Sequence, residues 1–202
     1  MAAVAGTKGM PRAEREALIL DAATSLFAER GFVATSLSDV AAAAGITKPL
    51  VYSYFGPKDD LFAACLARAS ANIVTHVEAA LVDVAPGVDA AFVVLEAMFT
   101  ALAPRPQDWS LLYDTTVPSG TAVAAKLRDH RRLVAAPAII GVRQGALANG
   151  LTDADDITAA TEVWLSVLSA LVRWWLAHPD QTVQDMLARC HRMFTAITGQ
   201  ER

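Results

Sequence analysis

The chain has 202 residues, of which 54% are hydrophobic and 19% are charged, and its formal net charge at pH 7 is −4. Such a composition supplies ample material for a packed core and leaves little for a disordered tail. The negative charge excludes a general attraction to nucleic acid, and even the first 60 residues hold six Lys or Arg against seven Asp or Glu. A DNA-binding protein of this composition needs its positive charge concentrated on one face.

No segment has the pattern of a membrane span or a secretion signal. The apolar run from Ala159 to Leu176 contains five polar residues, which argues against a helix in lipid. Residues 1–11 lack an apolar stretch of signal-peptide length, so we expect a flexible arm there and a cytoplasmic protein. Cys65 and Cys190 match no metal-ligand spacing and are expected to be reduced core residues, with a redox-sensing pair as the alternative.

Helical periodicity dominates the sequence and predicts an all-α fold of about nine helices. The first helix is predicted from Arg12 to about Arg30, and Gly31 supplies a stop just past its end. Ser36, followed three residues later by Asp39, predicts a capping box in front of a short helix that ends at Ala44.

Thr47 is predicted to cap the third helix, with Pro49 in its first turn, where a missing N–H does no harm. Gly56-Pro57 ends that helix and starts a fourth, which is predicted from Lys58 to about Val82. Further helices are predicted at about residues 88–103, 108–116, 121–148, 155–177 and 181–198.

The stretch from Ser36 to Tyr54 predicts two short helices joined by the tight turn Gly45-Ile46-Thr47. This is the helix-turn-helix arrangement, in which the second helix enters the major groove of DNA. Val40, Ile46 and Val51 are placed to fill the wedge between the two helices. The outer side of the second helix is then left with hydroxyls, a cation and an apolar group that suit phosphates and base edges. These residues are Thr47, Lys48, Leu50, Tyr52, Ser53 and Tyr54.

An alternative interpretation of this stretch is purely structural. A small three-helix bundle can contain such a turn by chance, and the run from Tyr52 to Phe55 would then be core aromatics. Geometry alone leaves both interpretations open. We predict that Phe27, Phe32 and Phe55 lie in the core.

Between Ile19 and Leu61 the sequence closely resembles the TetR (tetracycline-repressor-like) family of regulators. The resemblance lies in Ile19-Leu20-Asp21-Ala22-Ala23, Leu26-Phe27, Gly31-Phe32, Thr35-Ser36-Leu37, Asp39-Val40-Ala41, Ala44-Gly45-Ile46-Thr47, Leu50-Val51-Tyr52-Ser53-Tyr54-Phe55 and Lys58-Asp59-Asp60-Leu61. It implies a three-helix DNA-binding domain over residues 1–57 and a helical ligand-binding and dimerisation domain over residues 58–202. Pro57 departs from the family, which usually has a polar cap before the lysine, so the pose of Lys58 stays open.

The outer side of the second helix and the resemblance together predict a DNA-binding set. It comprises Thr35, Ser36, Thr47, Lys48, Pro49, Leu50, Tyr52, Ser53, Tyr54 and Lys58. One short recognition helix touches few bases, so we expect a homodimer on a near-palindromic double-stranded DNA operator.

The remaining sequence is apolar and poor in motifs. It contains no nucleotide-binding glycine loop, metal-ligand pair or nucleophile–base set, so we predict no enzyme activity, no metal and no cofactor. A ligand pocket would lie between the fourth helix and the next few, with ordinary core packing as the alternative for each of its residues. The candidate lining residues are Phe92, Leu95, Met98, Phe99, Trp109, Tyr113, Ile139 and Trp164.

The last two helices carry apolar stripes that we interpret as a dimer interface, although the same stripes would serve equally as the core of one chain. The candidate interface residues are Leu168, Leu171 and Trp175, and Met186, Cys190, Phe194 and Ile197. The whole sequence predicts a repressor that a small apolar or aromatic ligand releases from its operator. The alternatives are an activator, a regulator without a ligand, and a helical carrier that has lost DNA affinity.

Overall fold

The computed structural model describes residues 10–199, so the arm predicted over residues 1–11 lies almost entirely outside the described residues. Within this range the chain is all-helical, as predicted. The helices are α1 (Arg12–Ala34), α2 (Leu37–Ala43), α3 (Lys48–Phe55), α4 (Lys58–Ala80), α5 (Val88–Leu102), α6 (Gln107–Leu112), α7 (Ala122–Ala148), α8 (Ala154–Leu176) and α9 (Val183–Thr198). No helix in the described part of the chain combines the length and the apolar character that crossing a membrane requires.

Local signals set most of the helix ends. Gly31 breaks the regular helix of α1 at φ 79° and ψ 167°, as its position predicts, although helical turns resume as far as Ala34. The Ser36–Asp39 capping box is confirmed: the Ser36 hydroxyl accepts the Asp39 N–H at 3.2 Å, and the Asp39 carboxylate accepts the Ser36 N–H at 2.9 Å. The cap predicted for Thr47 is wrong in one respect, because its side chain makes no capping hydrogen bond.

Helix α6 is shorter than predicted. We expected it to reach residue 116, but it ends at Leu112. The reason lies in Asp114, whose carboxylate accepts the N–H of Thr116 at 2.7 Å. A short polar side chain that bonds a nearby backbone group in this way competes with continuation of the helix.

The chain forms two compact units. The first comprises residues 10–71 and Gln107–Arg132. In it α1 packs against α2 and α6, and α2 packs against α3. Three aromatic rings form its centre, with Phe27 and Phe62 edge to face at 4.9 Å and Phe32 and Phe62 at 5.0 Å. Phe27 and Phe32 are buried as predicted, whereas Phe55 is half-buried.

This first unit extends beyond the segment that the sequence indicated. It contains the predicted helix-turn-helix, and it also takes in α6 and the beginning of α7. The predicted boundary at residue 57 separates a DNA-binding domain from a ligand-binding domain. That functional boundary stays a prediction.

The second unit comprises Asn72–Pro106 and residues 133–199. In it α5 packs against α9. The Phe99 ring meets Trp175 edge to face at 5.1 Å, and the Phe92 ring is stacked on His191 at 4.1 Å. The Phe99 and Trp175 pair is buried and forms part of the unit's core, whereas His191 is exposed.

Four of the seven residues predicted as a dimer interface are buried in this core, whereas the interface itself stays a prediction. Leu168 and Trp175 of α8 are 4% and 8% exposed, and Met186 and Cys190 of α9 are 1% and 5% exposed. Leu171 and Phe194 are half-buried, and Ile197 alone among the seven predicted residues is largely exposed. Each helix is apolar on more than one side, and packing within the second unit takes up the sides that we had assigned to a partner.

Candidate nucleic-acid interface

Helices α2 and α3 form the predicted helix-turn-helix. Gly45 adopts φ 65°, a conformation that glycine reaches without steric cost, and the Ile46 N–H donates to the Ala41 carbonyl at 2.9 Å. Val40 and Val51 are fully buried between the helices, and Ile46 is half-buried. The wedge predicted from the sequence is therefore present.

The outer side of α3 is open to solvent. Thr47, Lys48, Pro49 and Ser53 are exposed, and Tyr52 is 57% exposed. The neighbouring Leu50 is half-buried. Helix α3 therefore presents a mixed polar and apolar surface of the kind that reads base edges.

Tyr54 has a different position from the one that the sequence indicated. It is half-buried, and its hydroxyl accepts a hydrogen bond from Arg15 of α1 at 2.8 Å. The Arg12 guanidinium lies 5.2 Å from the centroid of the Tyr54 ring, close enough for a cation–π interaction. Tyr54 thus holds two arginines of α1 beside the last turn of α3.

Sequence reasoning missed Arg12 and Arg15 as candidate functional residues. Arg15 is 39 positions from Tyr54 along the chain, and no local pattern connects them. Lys48 begins α3 and Arg15 lies beside its last turn, so positive charge lies near both ends of this short helix, whereas Arg12 is paired with Glu16 at 2.9 Å. The negative net charge of the chain is therefore compatible with a local basic surface.

Thr35 does not belong to this surface, which corrects a second expectation. Its side chain is buried, with 1% exposed, and its hydroxyl donates to the carbonyls of Gly31 at 2.9 Å and Leu26 at 3.2 Å. Its role is to tie the end of α1 to the start of α2. Ser36 is exposed, but its hydroxyl is engaged by the Asp39 carboxylate at 2.6 Å.

Lys58 is half-buried and turned partly inward. Its ammonium donates to the Phe32 carbonyl at 2.9 Å and lies 4.2 Å from the centroid of the Phe32 ring. The pose that the sequence left open is thus one in which Lys58 holds the end of α1.

The residues predicted to line a ligand pocket are divided between the two units. Trp109, which is buried, and Tyr113, which is 38% exposed, belong to the first unit. In the second unit Leu95, Met98 and Phe99 are core residues. Phe92 and Trp164 there are half-buried, and Ile139 is 41% exposed. The pocket stays a prediction.

Comparisons with known proteins agree with this geometry. Residues 19–65 match the sequence profile described as bacterial regulatory proteins, tetR family. The HTH-type transcriptional activator FasR of Mycolicibacterium smegmatis is 30% identical over 119 residues, which are 59% of this chain and 54% of FasR. The match thus spans only about half the length of that relative. The HTH-type transcriptional regulator AlkX of Mycobacterium tuberculosis is 31% identical over 207 residues, which cover 96% of this chain and 92% of AlkX.

A solved structure shares the fold over almost the whole chain. It is the transcriptional regulator FadR from Bacillus subtilis in complex with stearoyl-CoA, with a TM-score of 0.71. The alignment covers 92% of this chain and 99% of FadR at 17% sequence identity, which shows a common fold and no more.

The capping box in front of α2 yields a testable pKa. The pKa of Asp39 is lowered below its ordinary value. The larger cause is the hydrogen bond that the Ser36 hydroxyl donates to the Asp39 carboxylate, and the smaller is the bond from the Ser36 N–H. This carboxylate therefore stabilises the fold above the pKa it has in the unfolded chain, and the contribution is lost as pH falls through the folded value. We expect Ser36→Ala to raise the pKa of Asp39 towards its ordinary value in an NMR titration.

Asp185 provides the internal control, because Thr182 holds it in the same kind of capping box at α9 and lowers its pKa in the same way. Its titration is expected to be unchanged in Ser36→Ala. An unchanged midpoint for Asp39 would contradict the assigned cause.

Proposed function

The chain belongs to the tetR family of bacterial regulatory proteins, and from that premise we propose that it is a homodimeric transcription repressor. It binds a near-palindromic DNA operator by inserting α3 of each protomer into the major groove. A small apolar ligand then releases it. The observation that carries the proposal is the exposed outer side of α3, with Lys48 at its first turn and Arg15 beside its last.

The DNA-contacting set that we propose differs from the sequence prediction. Thr47, Lys48, Pro49, Leu50, Tyr52 and Ser53 face the base edges and the nearest phosphates, while Arg12 and Arg15 approach the phosphate backbone beside the last turn of α3. Tyr54 and Lys58 support this surface by holding Arg12, Arg15 and the end of α1, and Thr35 is left out. Phosphate contacts of this kind give DNA binding a steep dependence on salt.

Substitution of Arg12 or Lys48 by alanine tests this assignment. Each removes one cation per protomer, and Arg12→Ala also removes the partner of the Glu16 carboxylate. The slope of log affinity against log salt is expected to become shallower by about one for each phosphate that the variant no longer neutralises. The measurement is fluorescence anisotropy of DNA from the region upstream of the protein's own gene, at several salt concentrations.

Arg143→Ala is the matched control, because Arg143 is an exposed arginine on α7 in the second unit. It is expected to leave both affinity and slope unchanged. Absence of salt-dependent, sequence-selective binding by the wild-type protein at low salt would overturn the regulator and favour a helical carrier.

Activation is the second candidate, since the relative FasR is named an activator. The two modes of regulation share the DNA-binding surface and differ in their effect on transcription. Transcription from the protein's own promoter in vitro therefore separates them: it falls when a repressor is added and rises when an activator is added.

For the ligand we propose a compound with a long acyl chain, and the acyl chain is the part that the protein recognises. Two features support it: the apolar sequence of α5, and the stearoyl-CoA in complex with FadR, a protein of the same fold. A ligand that prefers the conformation unable to bind DNA lowers operator affinity by its differential affinity for the two conformations.

Stearoyl-CoA is expected to lower operator affinity by about 5- to 150-fold, the usual range of allosteric coupling, whereas coenzyme A alone leaves it unchanged. Calorimetry verifies that the compound binds, and anisotropy reports release of the DNA. If stearoyl-CoA binds and operator affinity does not change, the release mechanism is wrong for this ligand class.

The dimer interface that we now propose uses the exposed side of α8 and the end of α9. Val163, Val167 and Trp174 of α8 are 65%, 41% and 37% exposed, and Met193 and Ile197 of α9 are 38% and 84% exposed. Large apolar groups grouped on an exposed helix side are typical of a protein interface. A second copy of the chain is the occupant that a two-fold symmetric operator calls for.

Val163→Glu is expected to shift the protein from dimer to monomer, because it places a charge in an apolar interface. Val82→Glu is the matched control, since Val82 is 66% exposed and lies outside α8 and α9. Sedimentation velocity measures the dimer fraction. Equal dimer fractions in the two variants would remove α8 from the interface.

A further inference from the structure

The end of α1 is held by a buried acid from a distant part of the chain. The Phe32 N–H donates to one carboxylate oxygen of Asp114 at 2.7 Å, and the other oxygen accepts the N–H of Thr116 at 2.7 Å. Asp114 is only 8% exposed. A buried carboxylate with both oxygens engaged is a strong and directional acceptor, because an ionised partner strengthens each hydrogen bond.

The loop that carries Asp114 also approaches the backbone at Gly31. A Cβ atom built on Gly31 would lie 2.5 Å from side-chain atoms of Thr116, a distance that real Cβ atoms essentially never show. The Thr116 hydroxyl lies 3.4 Å from the Val33 nitrogen, as the acceptor of its N–H. Glycine at position 31 therefore serves both the break in α1 and the close approach of this loop.

Helix α7 holds the loop from its other side. Arg131 donates through Nε to the Leu112 carbonyl and through Nη2 to the Asp114 carbonyl at 3.2 Å. Its guanidinium also lies 5.2 Å from the centroid of the Tyr113 ring. Arg131 therefore connects α7 to the loop, and Asp114 connects the loop to α1.

Both backbone polar groups of Phe32 are therefore hydrogen-bonded to side chains. Its N–H donates to the Asp114 carboxylate, and its carbonyl accepts from the Lys58 ammonium. Thr35 continues the connection, because its hydroxyl donates to the Gly31 carbonyl immediately before α2 begins. The turn joins α1 to α2, α1 packs against α2, and α2 packs against α3. A shift of this turn is therefore expected to move α2 and with it α3.

We infer that Asp114 is a positioning residue for DNA binding, which acts from outside the segment that contacts DNA. Arg131 holds the backbone carbonyl of Asp114, and the Thr116 N–H donates to one of its carboxylate oxygens. The other carboxylate oxygen accepts the Phe32 N–H, which fixes the turn between α1 and α2 and so orients α3. This inference rests on the proposed function, since it concerns how the same surface is presented to the operator.

Asp114→Asn tests it. The amide keeps one acceptor oxygen but places an N–H₂ group against the other backbone donor, so one of the two hydrogen bonds cannot form. We expect the variant to fold and to bind the operator about 10-fold more weakly, with an unchanged salt slope because every phosphate contact remains. A purely structural role would lower the unfolding temperature without changing the affinity of the folded protein.

The sign of the change is informative. Removing a negative charge by itself favours DNA binding, and Asp129→Asn reports that effect, because Asp129 is exposed on α7 and pairs with the equally exposed Arg132. Weaker binding by Asp114→Asn together with equal or tighter binding by Asp129→Asn supports the inference. Equal binding by a folded Asp114→Asn protein overturns it.

A milder pair covers the case in which Asp114→Asn fails to fold. Arg131→Lys keeps the charge but gives up the two-point hold on the loop carbonyls, and Arg132→Lys is its exposed neighbour on the same helix. We expect operator binding about 3-fold weaker for Arg131→Lys and unchanged for Arg132→Lys. The effect of Arg131→Lys is smaller than that of Asp114→Asn because lysine can still make one of the two charge-assisted hydrogen bonds. Equal binding by both again overturns the inference, whereas a wild-type protein that binds no operator defeats the proposed function itself.

Discussion

The presentation of α3 depends on how two very short helices are stabilised. Helices α2 and α3 have 7 and 8 residues, and helices of that length do not persist alone in water. The burial of Val40 and Val51 holds them on their inner sides, and the exposed capping box at Ser36 stabilises the start of α2. Because burial of Val51 holds α3 from its inner side, the outer side of α3 stays open to solvent.

The basic surface at this site shows why total charge is a poor guide to binding. The chain is acidic overall, yet Tyr54 gathers Arg12 and Arg15 beside the last turn of α3, and Lys48 stands at its first. The Tyr54 hydroxyl holds Arg15 without bringing a negative charge against it, whereas Arg12 also forms an ion pair with Glu16 at 2.9 Å. A few cations kept in position by such contacts offer a local attraction while the rest of the surface remains acidic.

Sequence reasoning succeeded where the signal is local. The positive φ of Gly31 and Gly45, the capping box at Ser36 and the periodicity of α3 all follow from residues within one or two turns of each other. It failed where the position of a side chain depends on a segment that is distant along the chain. The inward pose of Lys58 requires Phe32, and burial of Leu168 and Met186 depends on which side of each helix meets the second unit's core. An amphipathic pattern shows that a helix is buried somewhere, without naming its neighbour.

The first unit is discontinuous along the chain, and this has a consequence for how such a protein can be divided. A fragment ending at residue 71 would lack Gln107–Arg132, so the Phe32 N–H would lose its acceptor and α1 would lose the apolar residues of α6 against which it packs. We therefore expect the portion that we propose to bind DNA to need both stretches of sequence in order to fold. Transplanting it into another regulator would require two stretches of sequence to be moved together, and recombination at a single crossover would leave it incomplete.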